Sequence, residues 1–175
     1  MLSFKEFLIM ESEFKTKHSN GTYMMAKVSP KSQNDIENWV KNTLKLETYI
    51  DPSEYHITIC YSRTPVIEAE GYVGDCDMSA QPFGLTVFET KIMDKKYCLV
   101  LKVESKEATL LHEKLKSMGA TFDYDEYTPH ITLLYTDDKS TLVFDASESP
   151  NFAISLDEIC VDGLKTEINI KTKEA

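Results

Sequence analysis

Two identical tripeptides, His56-Ile57-Thr58 and His130-Ile131-Thr132, carry residue types that can act on a phosphate ester. In a β-strand alternate side chains point to the same face, so each His lies about 6–7 Å along the strand from the Thr two residues later. An imidazole can act as acid or base near neutral pH. Two imidazoles flanking one phosphorus can take a proton from the attacking oxygen and give one to the leaving oxygen, while the Thr hydroxyls donate to the non-bridging oxygens.

The sequence around the tripeptides also repeats. Tyr23 precedes His56 by 33 positions, as Tyr97 precedes His130, and a Tyr follows each His by five positions. The extended motif is therefore His-Ile-Thr-x-x-Tyr. Each half runs strand, helix, motif strand and further strand, which predicts an internal duplication with a first repeat over about residues 22–90 and a second over about 96–170.

Hydrophobic periodicity predicts where the strands and helices of the two halves begin and end. It predicts strands over 22–28, 55–61, 83–89, 97–103 and 129–135, a helix behind Asn34 and Asp35, and a second helix over 105–118. The tail offers strand candidates at 152–155, 158–161 and 167–170. Residues 1–14 read as a short amphipathic helix within an N-terminal appendage over 1–21, and the acidic stretch 64–80 reads as an irregular linker.

Three further residues are candidates for binding a ligand. Tyr23 and Lys27 share a strand face, where they could offer an aromatic platform and a charge for a phosphate, or be a strand-end Tyr and a solvated Lys. Glu158 could accept a hydrogen bond from the amino group of a base, or be a surface acid. The remaining histidines, His18 in a polar loop and His112 on a helix, are predicted to be solvated.

Charge and composition limit the partners. The chain has 29 acidic and 19 basic side chains, a formal net charge of −10, and Arg63 as its sole arginine. Long nucleic acids bind through broad basic surfaces, so we expect no such partner, although a short phosphate ligand in a local pocket stays compatible with this charge. No apolar run approaches the ~18–20 residues of a membrane span, and no cleavage site follows an apolar N-terminal segment, so we expect a cytoplasmic protein that does not contact membranes.

The sequence gives no sign of a metal or other cofactor. The four cysteines show neither a CxxC pair nor clustering with His, so neither zinc nor a disulfide framework is indicated. Asp123, Asp125 and Glu126 lack the Gly and distal Glu of an EF-hand loop, which predicts a solvated acidic turn.

The two His-x-Thr motifs, each on a strand and one in each half, resemble those of the 2H phosphoesterase superfamily, which includes RNA ligase-like and cyclic phosphodiesterases. The resemblance covers roughly residues 22–170. It implies one α+β domain over 22–175, with two pseudo-symmetric lobes of antiparallel sheet plus helices around a central cleft. It also implies phosphodiester chemistry without a metal, with His56 and His130 as the acid and base pair and Thr58 and Thr132 as phosphate-binding hydroxyls.

Within that superfamily the chain is most similar to the phage anti-CBASS phosphodiesterases, which degrade the cyclic oligonucleotide signals of a bacterial immune system. This similarity implies a cyclic di- or trinucleotide substrate, cleaved at a 3′–5′ bond by the ribose 2′-hydroxyl through a 2′,3′-cyclic phosphate, in the host cytoplasm. Two alternatives stay open at this point. One is a 2′,3′-cyclic phosphodiesterase acting on RNA ends, and the other is a binding module that sequesters a nucleotide without cleaving it; no oligomeric state is implied.

Overall fold

The computed structural model describes residues 5, 8–9, 12–13, 17–91 and 94–164. The strands of this part are β1 (Thr22–Val28), β2 (His56–Ser62), β3 (Gly74–Glu89), β4 (Tyr97–Glu104), β5 (His130–Thr136) and β6 (Ile154–Gly163). The longer helices are α1 (Pro30–Trp39) and α2 (Lys106–Ser117), and α1 continues into a π-helical turn at Val40–Leu44. No helix in the described ranges is long and apolar enough to cross a membrane.

The strands form one antiparallel sheet in the order β2-β1-β6-β3-β4-β5. Each half of the chain supplies strand, helix, strand, strand, but the last strands are exchanged. The second part of β3, from the first half, pairs with β4, while β6, from the second half, pairs with β1. The sheet therefore has two three-stranded lobes, β2-β1-β6 and β3-β4-β5, which confirms the predicted α+β fold and its two lobes.

The helices cover the side of the sheet that forms the core. Ile36 and Trp39 of α1 and Leu111 and Leu115 of α2 are buried with the inward residues of the strands. The predicted start of α1 behind Asn34 and Asp35 is wrong. The helix begins at Pro30, because the Ser29 side chain accepts a hydrogen bond from the backbone N–H of Ser32, and proline suits the first helical position.

The linker predicted over residues 64–80 is wrong in its second half. After a 3₁₀ turn at Ile67–Tyr72, β3 begins at Gly74 and runs for 16 residues. Exposed Asp75 and Asp77 alternate with partly buried Cys76 and Met78, so the period of two was present but hidden by the acidic composition. The tail candidates at 152–155 and 158–161 belong to one strand, β6, and the candidate at 167–170 lies outside the described residues.

The prediction that His18 and His112 are solvated is wrong. His18 is fully buried, with Nε2 2.7 Å from a Glu70 carboxylate oxygen, and His112 is 5% exposed. Both rings have hydrogen-bonding partners that sequence spacing does not reveal, since Glu70 lies in the 3₁₀ turn before β3. Most of the predicted helix over 1–14 lies outside the described residues.

Candidate active site

The two His-Ile-Thr strands, β2 and β5, lie at opposite ends of the sheet order, yet the curled sheet brings them together. The hydroxyl of Tyr127, three residues before His130, donates to the carbonyl oxygen of Thr58 at 2.9 Å. Residues opposite one another in an antiparallel pair share a face. By this register the following residues share one face of the sheet between the lobes, called the cleft face here: Tyr23, Met25, Lys27, His56, Thr58, Tyr61, Gly84, Thr86, Phe88, Cys98, Val100, Lys102, His130, Thr132, Tyr135, Glu158, Cys160 and Asp162.

Each motif strand has a one-residue bulge directly after its threonine. The pairing of β2 with β1 skips Ile59, and the pairing of β5 with β4 skips Leu133. In a regular strand, a residue five positions after the His would point to the opposite face. The extra residue returns Tyr61 and Tyr135 to the face of the histidines, which explains the spacing of His-Ile-Thr-x-x-Tyr.

The imidazoles of His56 and His130 are anchored in the same way. Nδ1 of His56 lies 2.7 Å from the carbonyl oxygen of Glu54, and Nδ1 of His130 lies 2.7 Å from that of Thr128. Because a carbonyl oxygen only accepts, Nδ1 carries the proton in both rings. Each neutral ring therefore offers the lone pair of Nε2 for chemistry, and each protonated ring offers Nε2–H.

The surroundings of the two histidines differ. Burial lowers the pKa of His130; its bond to the Thr128 carbonyl acts in the opposite direction, and the nearby charge of a protonated His56 lowers the pKa further. The ring of Phe88 contacts His130 edge-on, with centroids 5.0 Å apart. The lowered pKa keeps the His130 ring neutral, with its Nε2 lone pair available, near neutral pH.

Tyr23 links His56 to Thr58. Its hydroxyl oxygen lies 2.9 Å from Nε2 of His56 and 3.2 Å from Oγ1 of Thr58, and burial raises its pKa, so the phenol keeps its one proton. With neutral His56, Tyr23 donates to Nε2 and Thr58 donates to Tyr23. With protonated His56, every bond reverses: Nε2–H donates to Tyr23, Tyr23 donates to Thr58, and the Thr58 proton becomes free for a ligand. We call this series of hydrogen bonds, from His56 through Tyr23 to Thr58, the Tyr23 relay.

Lys27 and Glu158, the other predicted binding residues, contact each other. Lys27 Nζ lies 3.3 Å from a Glu158 carboxylate oxygen, and this bond raises the pKa of Lys27. Lys27 also lines a pocket of about 220 Å³ in the first lobe, together with Tyr23, Met25, Ser53, Glu54 and His56. All seven predicted site residues thus lie on the cleft face, where their roles stay predictions.

Tyr127 and His112 support the outer edge of β2 through hydrogen bonds to its backbone, and the sequence predicted this role for neither residue. Besides the bond from Tyr127 to Thr58, Nδ1 of His112 lies 2.8 Å from the carbonyl oxygen of Ile59, the bulge residue. The two rings stack with centroids 3.9 Å apart and planes 8° apart. Two consecutive carbonyls at the outer edge of β2 are therefore satisfied by side chains rather than by another strand. Strand periodicity carries no signal for such contacts.

Tyr97 is not the counterpart of Tyr23, although the spacing of 33 positions predicts that it is. Tyr23 pairs with Tyr61, whereas the residue that pairs with Tyr135 is Cys98. The equal spacing counts helix and loop residues, which do not set strand register. His130 consequently has no phenol on its Nε2 from this position.

The acidic turn before the second motif is exposed, as predicted, and Asp123 pairs with Arg63 at 2.9 Å. Within the described ranges, no three His, Cys, Asp or Glu side chains are grouped so as to hold a metal ion.

The sequence of this chain is similar to those of known proteins. Residues 20–171 match the family described as Anti-CBASS protein Acb1. Over 122 residues the chain is 34% identical to Anti-CBASS protein Acb1 of Vibrio phage KVP40, covering 68% of this chain and 75% of that protein. Over 137 residues it is 31% identical to Anti-CBASS protein Acb1 of Enterobacteria phage T4, covering 77% and 78%.

The fold is also similar to the crystal structure of TT0787 of Thermus thermophilus, with a TM-score of 0.54 at 10% identity over 80% of this chain and 86% of that one. The family match spans both lobes, both bulged His-Ile-Thr strands and the exchanged strands β3 and β6. The two anchored imidazoles therefore occur in a fold similar to that of TT0787, and the chain belongs to the Acb1 family of anti-CBASS proteins.

Proposed function

We propose that the chain is a phosphodiesterase that opens a 3′–5′ bond of a cyclic di- or trinucleotide and thereby removes a signal of bacterial immunity. The observation that carries this proposal is the pair of imidazoles whose Nδ1 atoms are both held by backbone carbonyls at 2.7 Å. That anchoring turns both Nε2 atoms away from the carbonyls and towards proton transfer, with the Tyr23 hydroxyl bonded to Nε2 of His56. The names of the relatives, which call them anti-CBASS proteins, support the class of substrate.

In the first step, Nε2 of neutral His130 takes the proton of the ribose 2′-hydroxyl as its oxygen attacks phosphorus. Nε2–H of protonated His56 gives its proton to the 5′ oxygen, which takes the place of the Tyr23 hydroxyl as acceptor at Nε2. The bond from phosphorus to O2′ forms and the bond from phosphorus to O5′ breaks, which leaves a 2′,3′-cyclic phosphate. Water then opens that cyclic ester with the two roles exchanged.

The assignment of base and acid rests on the two environments. Burial lowers the pKa of His130, which favours the neutral form that a base needs. The Tyr23 relay favours the opposite role for His56, because protonating His56 turns the Thr58 hydroxyl outwards to donate to a non-bridging oxygen. Proton donor and oxyanion donor then become ready together. Thr132 supplies the matching hydroxyl in the second lobe, and no step needs a metal.

The test is a product analysis. The pure protein is incubated with cyclic diadenylate, cyclic GMP–AMP, cyclic triadenylate and 2′,3′-cyclic AMP in excess chelator, and the products are identified by mass. We expect at least one cyclic oligonucleotide to be linearised. The early product, which ends in a 2′,3′-cyclic phosphate, has the mass of the substrate and is recognised by its different chromatographic retention, and its hydrolysis then adds the mass of one water. The variant His130→Ala, in the same buffer, serves as the inactive control.

Two other outcomes would replace the proposal. Cleavage confined to 2′,3′-cyclic ends, with salt-sensitive binding of longer RNA, would indicate an RNA-end enzyme, although the net charge of −10 argues against it. Recovery of every bound cyclic oligonucleotide intact after long incubation would indicate a sequestering protein.

A further inference from the structure

A cleft that binds a cyclic oligonucleotide must attract one negative charge per phosphate, although the whole chain carries a net charge of −10. In the described part of the cleft face, the cations are Lys27 and Lys102. Lys27 is compensated, since its ammonium lies 3.3 Å from Glu158. The first lobe therefore offers little uncompensated positive charge to a phosphate.

Lys102 occupies the same place in the second lobe. It pairs directly with His130 across β4 and β5, as Lys27 pairs with His56 across β1 and β2. Directly paired residues have Cβ atoms about 4.5–5.5 Å apart on one face, so the lysine stem starts beside the imidazole. Within residues 17–91 and 94–164 no carboxylate pairs with the Lys102 ammonium, which lies 5.0 Å from the centroid of the Phe83 ring.

The backbone maintains this difference between the lobes. The position beside Lys102 that corresponds to Glu158 is Gly84, which has φ of +151°. A Cβ at Gly84 would lie 2.7 Å from the carbonyl oxygen of Ala146 and 3.5 Å from Cε of Lys102. An acidic side chain cannot stand at this position without moving the backbone, so Lys102 keeps an uncompensated charge.

We propose that Lys102 forms a phosphate-binding subsite in the second lobe, where its ammonium binds a non-bridging oxygen of the substrate phosphate held beside His130. The ammonium contacts the Phe83 ring, and because a cation over an exposed aromatic face is only weakly bound, a phosphate can draw the ammonium away from the ring. This inference rests on the proposed function and adds to it the residue that attracts the anion.

The test uses the 2′-deoxy analogue of whichever cyclic oligonucleotide the protein cleaves, because the analogue lacks the attacking hydroxyl. Its dissociation constant is measured by calorimetry for the unaltered protein, Lys102→Met, Lys102→Arg and the control Lys116→Met. Lys116 is an exposed lysine on α2, so its loss changes the net charge equally.

We expect Lys102→Met to weaken binding about tenfold, Lys102→Arg to weaken it less than about threefold, and Lys116→Met to leave it unchanged. The loss in Lys102→Met should shrink as salt is raised, since screening weakens a charge contact. Equal binding by Lys102→Met and the unaltered protein would overturn the inference while leaving the proposed function intact, and so would equal losses with Met and Arg. Failure of the unaltered protein to bind or cleave any cyclic oligonucleotide would overturn both.

Discussion

Removing one oxygen atom, in Tyr23→Phe, tests the proposal that the Tyr23 relay couples proton donation by His56 to phosphate binding by Thr58. The change deletes a bond of 2.9 Å to Nε2 of His56 and one of 3.2 Å to Oγ1 of Thr58. A hydrogen bond to a charged group contributes about 1.5–3 kcal/mol, and each 1.36 kcal/mol in the barrier is tenfold in rate. We therefore expect kcat to fall about 10- to 100-fold. The fold should be retained, because both lost partners still face the cleft.

The assay is single-turnover cleavage of the cyclic oligonucleotide, with Tyr61→Phe as the matched control. Tyr61 loses the same atom from the same face, and its ring meets that of Tyr23 with centroids 6.2 Å apart, but within the described residues its hydroxyl has no hydrogen-bonding partner. The control should cleave within about twofold of the unaltered protein. Similar losses in both variants would mean that packing, rather than the relay, carries the effect.

Coupling between the variants gives the stricter test. If Tyr23 acts by turning the Thr58 hydroxyl, then Thr58→Val removes most of what Tyr23→Phe removes, and the double variant should be less impaired than the product of the two single losses. Losses that multiply independently, or a Tyr23→Phe variant with full kcat, would refute the relay.

Three further outcomes are expected. His56→Ala and His130→Ala should each slow turnover about 10²- to 10⁴-fold with the fold intact by circular dichroism, and full activity in either would contradict the acid and base pair. Because the base must be neutral and the pKa of His130 is lowered, kcat/KM should rise with pH, and the midpoint of this rise should lie below the usual histidine pKa of ~6.5. A midpoint above that value would contradict the assignment of His130 as the base. Tyr127→Phe should lower kcat about 3- to 30-fold with little change in binding of the deoxy analogue, since it frees the Thr58 carbonyl, and a loss confined to binding would argue against positioning.

Much of the site could be predicted because it depends on short-range periodicity. An identical tripeptide on two strands fixes which side chains share a face, and alternation in β1 correctly placed Tyr23 and Lys27 together. The exchange of β3 and β6 between lobes could not be predicted, because it depends on long-range pairing. The first part of β3 was not predicted as a strand because one of its two faces is exposed. Acidic residues occupy that face, and they made the segment resemble a linker.

The bulges show why pattern alone falls short at the site itself. The sequence displays a Tyr five residues after each His, a distance that regular alternation assigns to the wrong face. The bulges at Ile59 and Leu133 return each Tyr to the face of its His. The Ile59 carbonyl is bonded to His112, a residue that was predicted to be solvated. A bulge and the side chain that supports it come from distant parts of the chain, so neither predicts the other.

The duplication also creates a difficulty for the chemistry. Two copies of one motif, anchored alike, would give two equivalent imidazoles, whereas the proposed reaction needs one base and one acid in the same step. The structure breaks the equivalence at positions outside the motif: Tyr23 stands where the second lobe has Cys98, and Glu158 where it has Gly84. The first lobe thus has the Tyr23 relay, and its Lys27 is paired with Glu158. The second lobe has His130, whose pKa is lowered, beside Lys102. The proposed assignment of one histidine as base and the other as acid therefore depends on the neighbours that the repeat does not share.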